Sequence, residues 1–216
     1  MSDIQNLKDF LEPVYLHKGF GKEEYKDGQF GKVMDLHEDS LPDFLDKDLI
    51  LVGCGEQRGF NPGSKASHAP NAIREEFYKL QCWHPDLKIA DAGNIKIGAS
   101  LNDTHAALKT VIRELSVHGK MVVVLGGSCD LTLSQYQNYA DQKKTIEAVC
   151  VDALINLNIE SPHRSGNYLM EMLTGEPNYI RNYNHIGFQS YYVHPHMLET
   201  MDKLRFDCYR LSLIHI

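Results

Sequence analysis

The sequence predicts a three-layer αβα protein built on a mainly parallel sheet. Three observations point there. Residues 49–54 (LILVGC), 120–125 (KMVVVL) and 146–152 (IEAVCVD) are apolar runs of strand length, the mark of strands covered on both faces. Segments of helical period stand between them. The alternation continues without repeats, low-complexity tracts or a linker, which is the order of right-handed β–α–β crossovers.

Taken in order, residues 1–47 are polar and mixed. They read as an N-terminal extension with a short helix over 4–11, then a loop punctuated by Gly19, Gly21, Gly28 and Gly31. Residues 48–210 read as the α/β domain. Its first strand is 49–54, followed by a Gly/Pro/Ser-rich loop over 55–69. Pro70 opens a helix, since proline suits a first helical turn, and Ile73, Phe77 and Leu80 mark its apolar face. Residues 87–92 are a second short strand. Residues 102–118 form an amphipathic helix with Ala107, Leu108, Val111, Ile112 and Leu115 on one side. Residues 120–125 are the strongest strand, and a helix follows over 131–140. Residues 146–152 are the next buried strand, 166–174 a helix, 185–189 a strand, 195–204 a helix and 206–209 a last strand. Ligands of open parallel sheets bind beyond the carboxyl ends of the strands. That directs attention to residues 53–60, 126–130, 152–158 and 188–194.

Composition narrows the function classes. A chain of 216 residues, 43% hydrophobic, supplies one full core. A net charge of −7 offers no basic stripe for nucleic acid or for an anionic membrane. Five cysteines, an odd number without a C-x-x-C pair, read as free thiols in a reducing compartment. The N-terminus has early acids and no long apolar run, unlike a signal or transit peptide. No stretch approaches the roughly 20 apolar residues of a membrane span. The expectation is a soluble cytoplasmic protein.

Two strand ends carry candidate chemistry. In VVVLGGSCDLT (122–132), paired glycines let the backbone turn sharply and approach another group. Cys129 reads as a buried thiol at a helix start, against a thiol made reactive by that helix. Asp130 suits the helix dipole and reads as a cap. In AVCVDALINLN (148–158), Asp152 ends an apolar run. A carboxylate there needs partners or a metal, and both readings stand. Glu56, Gln57 and Arg58 read as a solvated loop or as substrate-facing groups. His194 and His196 read as exposed loop histidines, and Tyr191 and Tyr192 as packing residues. His68, His163 and His185 carry no spacing signal.

These two motifs, with Pro70, Ala72, Ile73 and Arg74 of SHAPNAIREEFY (67–78), resemble the ureohydrolase family of arginase, agmatinase and formimidoylglutamase. The formimidoylglutamase branch is the most similar. The resemblance spans roughly residues 49–190 and implies an arginase-like fold, incomplete here and expected to continue past residue 216. It implies a homo-oligomer that acts on a small nitrogen-rich metabolite. It also implies two Mn²⁺ ions sharing a hydroxide that attacks an amidine-type carbon, held by carboxylates and imidazoles.

Carried over residue by residue, that ligand set is mostly altered. The family's G-G-D-H-S places its aspartate on Ser128 and its histidine on Cys129. Its D-A-H-x-D keeps the first aspartate as Asp152, puts the histidine on Leu154 and the last aspartate on Asn156. Ser165-Gly166-Asn167 repeats an arginase tripeptide, but the histidine that follows in arginases falls on Leu169. The later S-x-D-x-D motif is absent. Cys129 and Asp152 alone are too few for one softer ion such as Zn²⁺. Residues 211–216 (LSLIHI) read as a non-native tail. Manganese is the cofactor by resemblance, and a chain without metal is the other outcome. The functional expectation is a hydrolase of linear amidine C–N bonds with a degenerate metal site, or a pseudoenzyme serving metabolite binding or assembly.

Overall fold

A computed structural model describes residues 3–14, 22–158 and 160–213. The chain forms two compact units, divided after Ser134.

The first unit is built on strands β1 (Leu11–Glu12), β2 (Asp35–Leu36), β3 (Leu49–Gly53), β4 (Ile89–Ile95) and β5 (Met121–Leu125). Their order is β1-β4-β3-β5, with β2 also against β4. Only β1 runs antiparallel. Helices α1 (Phe30–Val33), α2 (Ala69–Phe77) and α3 (Leu101–Val117) belong to this unit.

Side-chain alternation along β3 assigns the two faces. Ile50, Val52 and Cys54 pack with Leu108, Val111, Ile112 and Leu115 of α3. Leu51 packs with Tyr78, Met34 and Tyr25 on the other face. The sheet is therefore covered on both sides, and the unit has the predicted three layers. Each large apolar side chain buried this way contributes about 1.5–3 kcal/mol. Ser100 caps α3 through a capping box with Asp103, which fixes where that helix begins.

Strand β3 connects through α2 to β4 on one side, and β4 returns through α3 to β5 on the other. The switch point of the strand order lies between β3 and β5. Residues 54–60 and 126–131 leave its carboxyl edge side by side: Cys54 N–H donates to Leu125 O at 2.8 Å and Ser128 N–H to Glu56 O at 2.9 Å.

The second unit holds β6 (Ile146–Val151), β7 (Ile180–Phe188) and β8 (Asp207–Arg210), all parallel, with α5 (Tyr168–Thr174) and α6 (Pro195–Lys203). Helix α4 (Thr132–Asp141) leads into it. Tyr183, His185, Leu169, Met172 and Met201 are buried.

Several expectations need correction. The segment at 4–11 is a 3-10 helix, Asp3–Asp9, after which Leu11 pairs with Ile95 as a strand. Residues 30–33 are helical rather than loop. On α2 the buried residues are Pro70 and Arg74, joined by the C-cap Tyr78, while Ile73 and Leu80 are exposed. The strand at 146–152 is not covered on both faces: Val149 and Val151 are 64% and 77% exposed. They alternate with Ala148 and Cys150, which take the inner face beside Tyr183 and His185. Strand β7 begins five residues before the expected 185.

Candidate functional site

At the switch point the second glycine of the pair is sterically required. A Cβ on Gly127 would sit 2.0 Å from Glu56 O, whereas one on Gly126 would meet only Leu131 at 3.6 Å. Ser128 seals the same contact, its Oγ donating to Glu56 O at 3.2 Å. The chain then alternates: Ser128 and Asp130 turn inward, and Cys129 is exposed. The expected buried thiol at 129 is thus corrected, because the 3-10 turn Cys129–Leu131 points that side chain away from the core.

Asp130 is fully buried and is not a helix cap. Its Oδ2 lies 2.9 Å from His105 Nε2, and His105 Nδ1 lies 2.9 Å from Ser134 Oγ. Burial works against the charge, but the hydrogen bond and charge of His105 hold the carboxyl below its ordinary range. The carboxylate sits tight under Gly59, where a Cβ would be 2.1 Å from both oxygens. This Ser–His–Asp series has the residue types of a hydrolytic triad. Its serine is fully buried on the helix that follows the turn, so the series anchors that helix to α3. Its sequence signal was slight: His105 stands at the head of the buried stripe of Leu108, Ile112 and Leu115.

Glu56 is buried, which corrects the reading of a solvated loop at this position, while Gln57 and Arg58 are half-buried. Arg58 Nη2 donates to Glu56 Oε2 at 2.6 Å, and the N–H groups of Gln57 and Arg58 donate to Oε1 at 3.0 and 2.9 Å. Burial raises the Glu56 pKa, and these hydrogen bonds outweigh that and bring it to about 2. Arg58 also donates to the carbonyls of Gly98 and Ala99, clamping the loop after β3 to the start of α3.

The second motif lies in the second unit. Asp152 follows β6, and its own loop occupies both oxygens: Leu154 N–H donates to Oδ1 at 3.0 Å and Asn156 Nδ2 to Oδ2 at 3.3 Å. The two bonds cap the loop amides, one of the two roles the sequence left open for this residue. Leu154 is 44% exposed and Leu169 fully buried, so the two leucines at histidine positions have different environments. His185 Nε2 lies 2.9 Å from Asp152 O and fixes the strand end from behind; burial lowers its pKa. His194 Nδ1 accepts from His196 N–H and caps α6, and both rings are exposed, as expected. Tyr191 and Tyr192 are 90% and 63% exposed, stacked edge to face in the turn after β7, and do not pack into the core.

The three candidate metal residues divide between the units, Cys129 in the first and Asp152 and Asn156 in the second, where the fourth ligand position is Leu154. Among the described residues, no group of three or more His, Cys, Asp or Glu side chains is placed to hold a metal. No helix among them is long and apolar enough to cross a membrane.

The model of the arginase family matches residues 47–215. The chain belongs to the arginase family. Comparison with proteins of curated function found no match. Among solved structures, the arginase-family chain is similar to formiminoglutamase of Trypanosoma cruzi with Mn²⁺ (TM-score 0.73, 16% identity, 88% of this chain and 67% of that one). It is also similar to formimidoylglutamase of Bacillus subtilis (TM-score 0.67, 18% identity, 82% and 62%). Arginase of the same bacterium is a third (TM-score 0.63, 20% identity, 78% and 65%). The chain thus spans about two thirds of the length of these relatives. At such identities the likeness shows the arginase-like α/β fold.

Proposed function

We propose that this chain is a formimidoylglutamase-like member of the arginase family whose paired-metal site is degenerate. In this reading it binds a small nitrogen-rich metabolite without hydrolysing it. One observation supports the reading: Asp152, the ligand type kept at its family position, accepts from Leu154 N–H and Asn156 Nδ2 of its own loop. The donor chemistry agrees. Leucine at 154 offers no lone pair, and asparagine at 156 removes a charge that a hard divalent ion needs. These residues do not fit a pair of Mn²⁺ ions. The family fold supports a homo-oligomer, and the composition a cytoplasmic setting.

A second reading, active hydrolysis of linear amidine C–N bonds with manganese, is favoured by the retention of Asp152 at a strand end. It draws also on the formiminoglutamase of similar fold that holds Mn²⁺. An assay separates the two. The purified chain, supplied with excess Mn²⁺, is offered formimidoylglutamate, agmatine and arginine, and formamide, ammonia and urea are measured. The proposal expects no release above the Mn²⁺-only control; metal-dependent turnover of any of the three overturns it.

A further inference from the structure

We propose that Trp83 is the centre of a two-fold contact between copies of this chain, the indole of each copy seating in a cleft beside the Trp83 of the other. The inference rests on the homo-oligomer of the proposed function and gives it a surface in the first unit, on residues between α2 and β4 and apart from the strand-end motifs.

Trp83 is the chain's one tryptophan and is 85% exposed. A side chain of this type is on average highly buried. The turn that presents it is braced on both sides. Cys82 N–H donates to Gly28 O at 2.8 Å, and Gln81 bridges Gln29. Cys82 Sγ donates to His84 O at 3.3 Å, and Leu87 N–H to the same carbonyl at 3.1 Å. A braced turn has less freedom to lose on association.

The cleft lies on the same surface. It encloses about 230 Å³ and has Val33, Cys82, Pro85, Leu87 and Ile89 in its walls. That is below the roughly 300–1,000 Å³ of small-molecule sites, and it suits one large side chain. Its polar side is closed by the ion pair of Lys47 with Asp35 at 2.6 Å. Cys82 and Pro85 flank Trp83 in sequence, so knob and hole are neighbours, yet Trp83 is not among the described residues that line the hole. Val33 and Leu87 are themselves exposed, so the apolar lining opens to solvent.

A knob beside a hole that it does not fill is matched by the same surface of a second copy, turned about a two-fold axis. Each Trp83 then enters the partner's cleft, and both contacts form at once. Charge agrees with this occupant. Asp86 is exposed three residues past Trp83, and Lys88 lines the cleft with its side chain 56% exposed. Lys88 pairs with Asp46 of its own chain at 2.6 Å, but an ammonium has three donors. The rotation brings the acid beside the knob toward the lysine beside the hole, twice per dimer. Tryptophan is also among the residues most enriched at the centres of such contacts.

The test is sedimentation velocity of the purified chain from about 1 to about 200 µM, read together with tryptophan emission and its quenching by acrylamide. With one tryptophan in the chain, the emission reports on this contact alone. As the mass rises, emission should move to shorter wavelength and quenching should fall in step. Trp83→Ala, and Leu87→Asp in the wall of the hole, should each weaken the association at least about ten-fold. Asp86→Lys should weaken it about three-fold. Trp83 is exposed in the single chain, so Trp83→Ala should leave the melting temperature of dilute protein unchanged. An oligomer whose tryptophan stays open to acrylamide, or that survives Trp83→Ala, overturns this contact and leaves the homo-oligomer standing. A monomer throughout the range overturns both. A tryptophan protected equally at every concentration assigns the cleft to another occupant and overturns the contact.

Discussion

Arg74 and Asp91 lie side by side without solvent exposure, and each of the five guanidinium N–H groups has an acceptor. Asp91 takes two, Asn71 and Asn94 one each, and Gly93 O the last. Asp91 also accepts from Tyr78 OH and Gly93 N–H. Removing one partner strands a buried charge, so Asp91→Ala should lower the free energy of unfolding by about 3–5 kcal/mol in a urea titration. A loss below about 1 kcal/mol would show that the cluster tolerates an unpaired guanidinium. Glu56 makes a pH-dependent contribution. Its pKa falls from the ordinary 4.5 to about 2 on folding, so the unfolded chain binds its proton first as acid is added. The stabilisation is complete above about pH 4.5 and is lost as pH falls toward 2. Glu56→Gln should therefore lower the melting temperature at pH 7 and flatten the acid limb between those values; two parallel melting curves would contradict this assignment.

At the scale of elements, the glycine pair after β5 divides into a required and a tolerant position. Gly127→Ala must move the loop at Glu56 and should destabilise by about 1–3 kcal/mol. Gly126→Ala should change stability by less than about 0.5 kcal/mol, measured by the same denaturation. Equal effects would mean that the turn, not the close approach, sets the cost. The sequence was most readable where one period dominates. Helix α3 and strand β3 follow their apolar patterns to within a residue or so, because burial alone decides those faces. Helix α2 was misread for the opposite reason: its inward face carries Arg74, and the partner that makes this tolerable, Asp91, lies 17 residues away on β4. The inward turns of Asp130 and Glu56 were hidden in the same way, since His105 and Arg58 complete them only after folding. The hydrophobicity of β6 predicts burial on both faces, yet Val149 and Val151 face outward.

For the whole molecule, family and chemistry separate. The three-layer first unit, the strand-end motifs and the family match over residues 47–215 agree on an arginase-like fold. The motif spacing made the family legible in the sequence, and the proposed loss of metal ligands rests on Cys129, Leu154 and Asn156 at the same strand ends. What the sequence did not show is that the retained Asp152 is turned onto its own loop. The proposed function requires that this chain hold no pair of manganese ions. Its most direct test is metal stoichiometry: the purified chain is saturated with Mn²⁺, dialysed against metal-free buffer and measured by mass spectrometry of the element. Well under one Mn²⁺ per chain is expected; two retained ions per chain would overturn the proposed function.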